Sequence, residues 1–175
     1  MKHVVLTGFM AVGKTAVGRR LAKRLGYDFV DTDQLIEQRA GMTVAQMFER
    51  LGEAEFRERE RRTSAERAPA TPTVVATGLE TVVDEGKRRQ LKHLGVVVCL
   101  VTSLETILDR VARNDARPLA HGDARRRLTE LYERRKPAYG KADVLVETEG
   151  LTVDQAVSRV SAMITPHLKG NAAEA

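Results

Sequence analysis

Eight residues near the start of the chain, Gly8-Phe9-Met10-Ala11-Val12-Gly13-Lys14-Thr15, have the types and spacing of a phosphate-binding loop. Gly8 and Gly13 let the backbone turn with its N–H groups pointing inward, so that the stretch from Ala11 through Val12 and Gly13 to Ala16 can offer main-chain donors to phosphate oxygens. Lys14 can reach the β- and γ-phosphates, and the Thr15 hydroxyl can ligate Mg²⁺. Val4-Val5-Leu6 before the loop reads as a buried strand, and Val17, Leu21 and Leu25 after it recur at helical spacing. Strand, glycine loop and helix N-terminus together make an anion site, which leaves a chance match as the weaker reading. The motif predicts binding of a nucleoside triphosphate with Mg²⁺.

Four further groups have chemistry to offer. Asp31 and Asp33, in Asp31-Thr32-Asp33, point into one region if the backbone there is extended. One carboxylate can hold Mg²⁺ through its water shell, and the other can orient a substrate hydroxyl for attack. The competing reading is that one of them only caps a helix starting near Gln34. Arg57 and Glu60 lie three apart on a charged helix; a pinned arginine is a good carboxylate receptor, although a solvated salt-bridge face explains the same pair. Arg110, Arg113 and Arg117 lead into Pro118-Leu119-Ala120-His121-Gly122-Asp123. That polar stretch reads either as a lid whose arginine neutralises phosphoryl charge or as an ordinary surface loop. Arg134-Arg135-Lys136 ends a basic helix at Pro137, where bases also suit the helix dipole.

The elements that must position these residues alternate. Apolar runs at His3–Thr7, Phe29–Asp31, Val74–Thr77, Val96–Val101 and Val144–Val146 read as strands, several apolar on both parities, as in a parallel sheet covered on both faces. Helical patterns cover Gln34–Ala40, Val44–Leu51, Glu53–Ala68, Leu104–Ala112 and Val153–Leu168. Thr102-Ser103-Leu104-Glu105 and Thr152-Val153-Asp154-Gln155 have capping-box patterns. Ala68-Pro69-Ala70-Thr71-Pro72 reads as a loop, and the small polar tail Gly170–Ala175 predicts disorder. The expected fold is α/β and layered, with the ligand at the carboxyl ends of the strands.

At 175 residues the chain predicts one domain, residues 1–169, with 170–175 as its tail. The net charge of +5 would suit nucleic acid or small anions. Scattered arginines, 4% aromatics and no Trp favour small anions and argue against a nucleic-acid partner. The single cysteine, Cys99, reads as a small buried hydrophobe and fits a reducing cytoplasm. His3, His93, His121 and His167 are too far apart to suggest a zinc site. No signal-peptide layout and no run of membrane-spanning length appears, so a cytoplasmic location without membrane contact is expected.

Taken together, the phosphate loop, Phe29-Val30-Asp31-Thr32-Asp33, Gly52-Glu53-Ala54-Glu55-Phe56-Arg57, Arg117-Pro118-Leu119 and Arg135-Lys136-Pro137-Ala138-Tyr139 resemble the shikimate kinase family in order and spacing. The resemblance covers nearly the whole chain, from the first strand to about Leu168. It implies a three-layer P-loop NTPase fold with five parallel strands and a nucleoside-monophosphate-kinase-like layout. Acceptor-binding helices would occupy about 32–66 and a lid about 112–124. It implies a monomer that phosphorylates shikimate from ATP and Mg²⁺ in aromatic amino-acid biosynthesis. Lys14 and Thr15 would bind phosphates and metal, Asp31 would support the metal, and Asp33 would hold the acceptor hydroxyls. Arg57, oriented by Glu60, and Arg135 would grip the substrate carboxylate; Arg117 would meet the phosphates and Arg110 the adenine.

Two departures accompany the resemblance. The family carries three glycines after the third strand, where this chain has Gly78-Leu79-Glu80. Leu79 adds bulk and Glu80 negative charge near a site meant for a carboxylate. That keeps two alternatives open: a kinase of another small hydroxylated anion, or an ATP-binding protein without kinase activity. Ala11 stands where the family's loop usually has glycine, which is tolerable if its φ is negative.

Overall fold

Strand β1 (His3–Gly8) runs through the middle of a five-stranded sheet, with β2 (Asp28–Asp31), β3 (Thr73–Ala76), β4 (Gly95–Val101) and β5 (Val144–Glu147) in the order β2-β3-β1-β4-β5. The structure, a computed structural model, describes residues 2–65, 70–78, 83, 85–114 and 123–169. Every strand pair is parallel. The register sets Asp31 beside Ala76, Ala76 beside Leu6, and Gly8 beside Leu100. The ends of β1, β2 and β3 therefore meet at one edge of the sheet, where the strand order reverses on either side of β1.

The central strands are buried on both parities because helices cover both faces. On one face, Val4, Leu6, Val74, Val98, Leu100, Val144 and Val146 pack against Val17 and Leu21 of α1 (Lys14–Leu25) and Val157, Val160 and Ile164 of α7 (Val153–Lys169). On the other, Val5 and Val97 meet Leu91 of α4 (Glu85–Leu94). There too Cys99 packs with Ile107 of α5 (Leu104–Asn114), Tyr132 of α6 (Asp123–Arg135), and Tyr139 of the 3₁₀ turn Lys136–Lys141. Cys99 is fully buried, and its apolar surroundings push the thiol up to about 12, which makes it an inert filler. β5 departs from the two-sided pattern. It is an edge strand whose Leu145 and Glu147 stay exposed.

Helix α2 (Thr32–Ala40) and α3 (Val44–Ala65) stand off the sheet around a small core of Ile36, Met47 and Phe56. Gly52, at φ 82° and ψ 167°, breaks α3 where the two periodic segments meet. The expected continuation to Ala68 lies outside the described residues beyond Ala65, as do residues 68 and 69 of the Ala68–Pro72 loop and the tail 170–175. Helix α4 was not anticipated. It is densely charged, and Leu91 is its buried apolar residue, so it shows little apolar periodicity. The capping box at Thr152 forms as read, with reciprocal bonds between Thr152 and Gln155. An unanticipated one forms between Thr43 and Gln46. The expectation at Thr102 is off by one residue. The Ser103 hydroxyl accepts from the Thr106 N–H at 3.1 Å and is the cap, while Thr102 turns to Glu149.

Candidate active site

Gly8 leaves the sheet at φ 142°, and a Cβ there would lie 2.4 Å from the Leu100 carbonyl oxygen, so glycine is required for the chain to exit beside β4. Ala11 does not meet the condition of a negative φ: it sits at +57°, the one positive-φ non-glycine residue among those described. That left-handed geometry costs about 1–2 kcal/mol for a residue with a Cβ. Arg110, reaching from α5, donates from Nη1 to the Ala11 and Val12 carbonyl oxygens, both at 3.1 Å, and so holds the strained turn. Lys14 donates to the Gly8 and Phe9 carbonyl oxygens at 2.9 and 3.1 Å.

The two carboxylate oxygens of Asp31 have different partners. Oδ1 accepts from the Asp33 and Gln34 N–H groups at 3.1 and 3.4 Å and caps α2. Oδ2 accepts from the Thr15 hydroxyl at 2.6 Å. The two hard oxygen donors expected of a magnesium site thus stand together at the start of α1 and the end of β2.

Two cavities open here. The larger, about 620 Å³, is lined by the loop from Met10 to Val17, by Asp31, Asp33, Gln34 and Arg110, and by Thr148, Leu151, Thr152, Val153 and Ala156. The smaller, about 260 Å³, is lined by Gly8, Phe9, Met10, Lys14, Asp33, Val44, Phe56, Arg57, Glu60, Gly78, Leu131 and Arg135. They share Met10, Lys14 and Asp33. Burial lowers the Lys14 pKa, against the attraction of Asp33 and Asp31. Burial also raises that of Asp33, against the attraction of Lys14. Both groups are poised for charge changes that a polyanion or a hydroxylated ligand would make nearby.

Arg57 and Glu60 are not a solvated face. Glu60 is 1% exposed and accepts from Arg57 Nη1 at 3.1 Å, and the guanidinium stacks 5.4 Å from the Phe56 ring centroid. A buried ion pair of this kind fixes an arginine in place. Gly78 closes the same cavity. A Cβ on it would lie 3.3 Å from Glu60 Oε1, and its carbonyl accepts from the Thr7 hydroxyl at 3.2 Å.

The expected residues Gly8, Gly13, Lys14, Thr15, Ala16, Asp31, Asp33, Arg57, Gly78, Arg110 and Arg135 therefore converge on this pair of cavities. Arg113 is exposed and lines neither. Arg117, His121, Leu79 and Glu80 lie outside the described residues. Val44 and Leu131 in the smaller cavity, and Thr148 and Leu151–Val153 in the larger, were not anticipated. The one signal for the last group was position: a loop after the fifth strand, just before a capped helix.

A family model described as shikimate kinase matches residues 10–165. The chain belongs to the shikimate kinase family. It is 44% identical over 165 residues to the shikimate kinase of Ruegeria pomeroyi, covering 93% of this chain and 85% of that one. It is 39% identical over 161 residues to that of Thermodesulfovibrio yellowstonii, covering 91% and 93%. Among solved structures, the shikimate kinase of Acinetobacter baumannii in complex with shikimate superposes with a TM-score of 0.84 at 33% identity, over 98% of this chain and 96% of that one. That of Aquifex aeolicus gives 0.82 at 27% identity, over 97% and 99%. The five-stranded parallel fold is thus that of a shikimate kinase-like P-loop kinase, as the resemblance implied.

Proposed function

We propose that this chain transfers the γ-phosphoryl group of ATP to the 3-hydroxyl of shikimate. The observation that carries the reading is the sharing of Lys14 and Asp33 between the two cavities. One cavity is built on the phosphate loop, the other on Arg57, Glu60 and Arg135. The relative solved with shikimate supports shikimate as the acceptor.

In this reading the larger cavity takes ATP, with the phosphates on the loop and Lys14 and the base toward Arg110 and Leu151–Val153. Arg57 and Arg135 hold the acceptor carboxylate, and Asp33 accepts a hydrogen bond from the attacking hydroxyl. The hydroxyl oxygen bonds to the γ-phosphorus, and the bond to the β–γ bridging oxygen breaks. ADP leaves, and the hydroxyl proton passes to the Asp33 carboxylate. Catalysis then rests on positioning and charge neutralisation. The Thr15 hydroxyl and Asp31 carboxylate fit Mg²⁺, which when bound screens phosphate charge. Residues 112–124 serve as the lid, bringing Arg117 to the phosphates. The enzyme acts as a cytoplasmic monomer. Leu79 and Glu80 are the feature that favours a different hydroxylated anion, and a panel of hydroxy acids and cyclitols tests it.

Asp33→Asn is expected to lower kcat by about 100-fold or more with the ATP KM little changed, the usual scale for a lost acid–base group. Arg57→Ala is expected to raise the shikimate KM by about 30-fold or more, as for a lost charged hydrogen bond in a buried site. Near-normal turnover in Asp33→Asn would remove that residue from the acceptor site.

A further inference from the structure

Glu149, in the loop between β5 and α7, is an exposed carboxylate that three donors nonetheless converge on. The Thr102 hydroxyl donates to Oε2 at 2.5 Å and the Ser103 N–H to the same oxygen at 2.8 Å, while the Thr106 hydroxyl donates to Oε1 at 2.6 Å. The three donors cluster at the N-terminus of α5, with Thr102 just before the Ser103 cap and Thr106 in the first turn. There the helix dipole and the unsatisfied N–H groups favour a negative charge. The Thr102 hydroxyl, followed by that of Thr106 and the Ser103 N–H, pulls the Glu149 carboxyl down to about 2, so the contact stays charged at any working pH.

The two segments joined here are the two sides of one wall. Two turns further along α5, Arg110 reaches the carbonyls of the strained Ala11 turn. Beyond Glu149, the loop supplies Leu151, Thr152 and Val153 to the same cavity. The neighbouring Thr148 is held independently, since its N–H and hydroxyl donate to the Val101 carbonyl oxygen at 2.9 and 3.0 Å. Loss of Glu149 therefore leaves the loop attached to β4 but unfastens it from α5.

We propose that Glu149 is a positioning residue for the nucleoside part of ATP: by fastening the β5–α7 loop to the start of α5, it sets the width of the wall between Leu151 and Arg110. The phosphates, held by the main chain of the Gly8–Thr15 loop, do not depend on it. The inference rests on the reading that the larger cavity takes ATP.

Calorimetric titration with ATP and with inorganic tripolyphosphate tests it on the full chain. In Glu149→Ala, ATP affinity is expected to fall by about fivefold or more, the scale of lost charge-assisted hydrogen bonds, while tripolyphosphate affinity stays within about twofold. In turnover the ATP KM rises, and kcat and the shikimate KM hold. Thr106→Val, which removes one donor, gives a smaller loss of the same kind and serves if Glu149→Ala fails to fold; Thr106→Ser restores wild-type behaviour. Equal losses for ATP and tripolyphosphate, or none for either, overturn the proposal. Leu151→Arg, which fills the wall, separates the two levels. If it leaves ATP binding intact, the cavity reading itself fails. If it abolishes ATP binding while Glu149→Ala and Thr106→Val do not weaken it, the positioning role alone fails.

Discussion

Ala11 is strained at φ 57° in a loop that must keep its shape to bind phosphate. Arg110 bonds to its carbonyl oxygen, a contact that does not involve the side chain. Glycine at this position removes the left-handed penalty of about 1–2 kcal/mol but gives back some of it as unfolded-chain entropy. Ala11→Gly is accordingly expected to stabilise the fold by roughly 0.5–1 kcal/mol in urea denaturation, with ATP binding retained. An unchanged or lower midpoint would show that the turn relaxes around alanine at no cost. Asp31 shows at the same scale why competing sequence readings need not exclude each other. A carboxylate has two oxygens, and here one caps α2 while the other faces Thr15.

At the scale of elements, Gly52 decides where Arg57 goes. Its φ 82°, ψ 167° conformation belongs to a region that is essentially glycine-only, and it turns α3 so that Phe56, Arg57 and Glu60 enter the smaller cavity. Gly52→Ala is expected to cost about 1–3 kcal/mol of stability and to raise the shikimate KM more than the ATP KM. A variant with full stability and unchanged shikimate KM would mean that the break is not needed to aim Arg57. His3 performs a smaller task between β1 and β3, where its Nδ1 accepts from the Thr73 N–H at 3.2 Å. Burial lowers its pKa below 6.5. Between the lowered folded value and 6.5 the unfolded chain binds more protons, so this contribution is full above 6.5 and is lost as pH falls through that window. His3→Asn, which keeps an acceptor without the titration, is expected to lose less melting temperature than wild type between pH 7 and 5; equal losses would assign the acid sensitivity elsewhere.

Much of this was legible in the chain because the relevant signals are local. The phosphate loop, Asp31 and Asp33, and the break at Gly52 each announce themselves within a few residues. Arg57 with Glu60 was legible as a pair but not as a buried one, since its burial comes from Phe56 and the sheet edge behind Gly78. Helix α4 hid because charges fill its faces and Leu91 is its buried apolar residue. The Leu151–Val153 wall hid because nothing in its composition speaks of nucleotide; only the parallel register brings the end of β5 to the same edge as the end of β1.

For the whole molecule, two cavities that share Lys14 and Asp33 open at the carboxyl ends of the strands, and the proposed function gives one to ATP and the other to the acceptor. A shikimate kinase-family chain with this layout should do nothing to ATP until the second cavity is filled, because the attacking hydroxyl is the acceptor's own. The measurement that tests this most directly is ADP release by the purified protein with ATP and Mg²⁺, followed with and without shikimate. The account predicts ADP formed one-for-one with shikimate 3-phosphate when shikimate is added, and essentially none in its absence. No ADP with shikimate, alongside turnover of another hydroxylated acid, would contradict it.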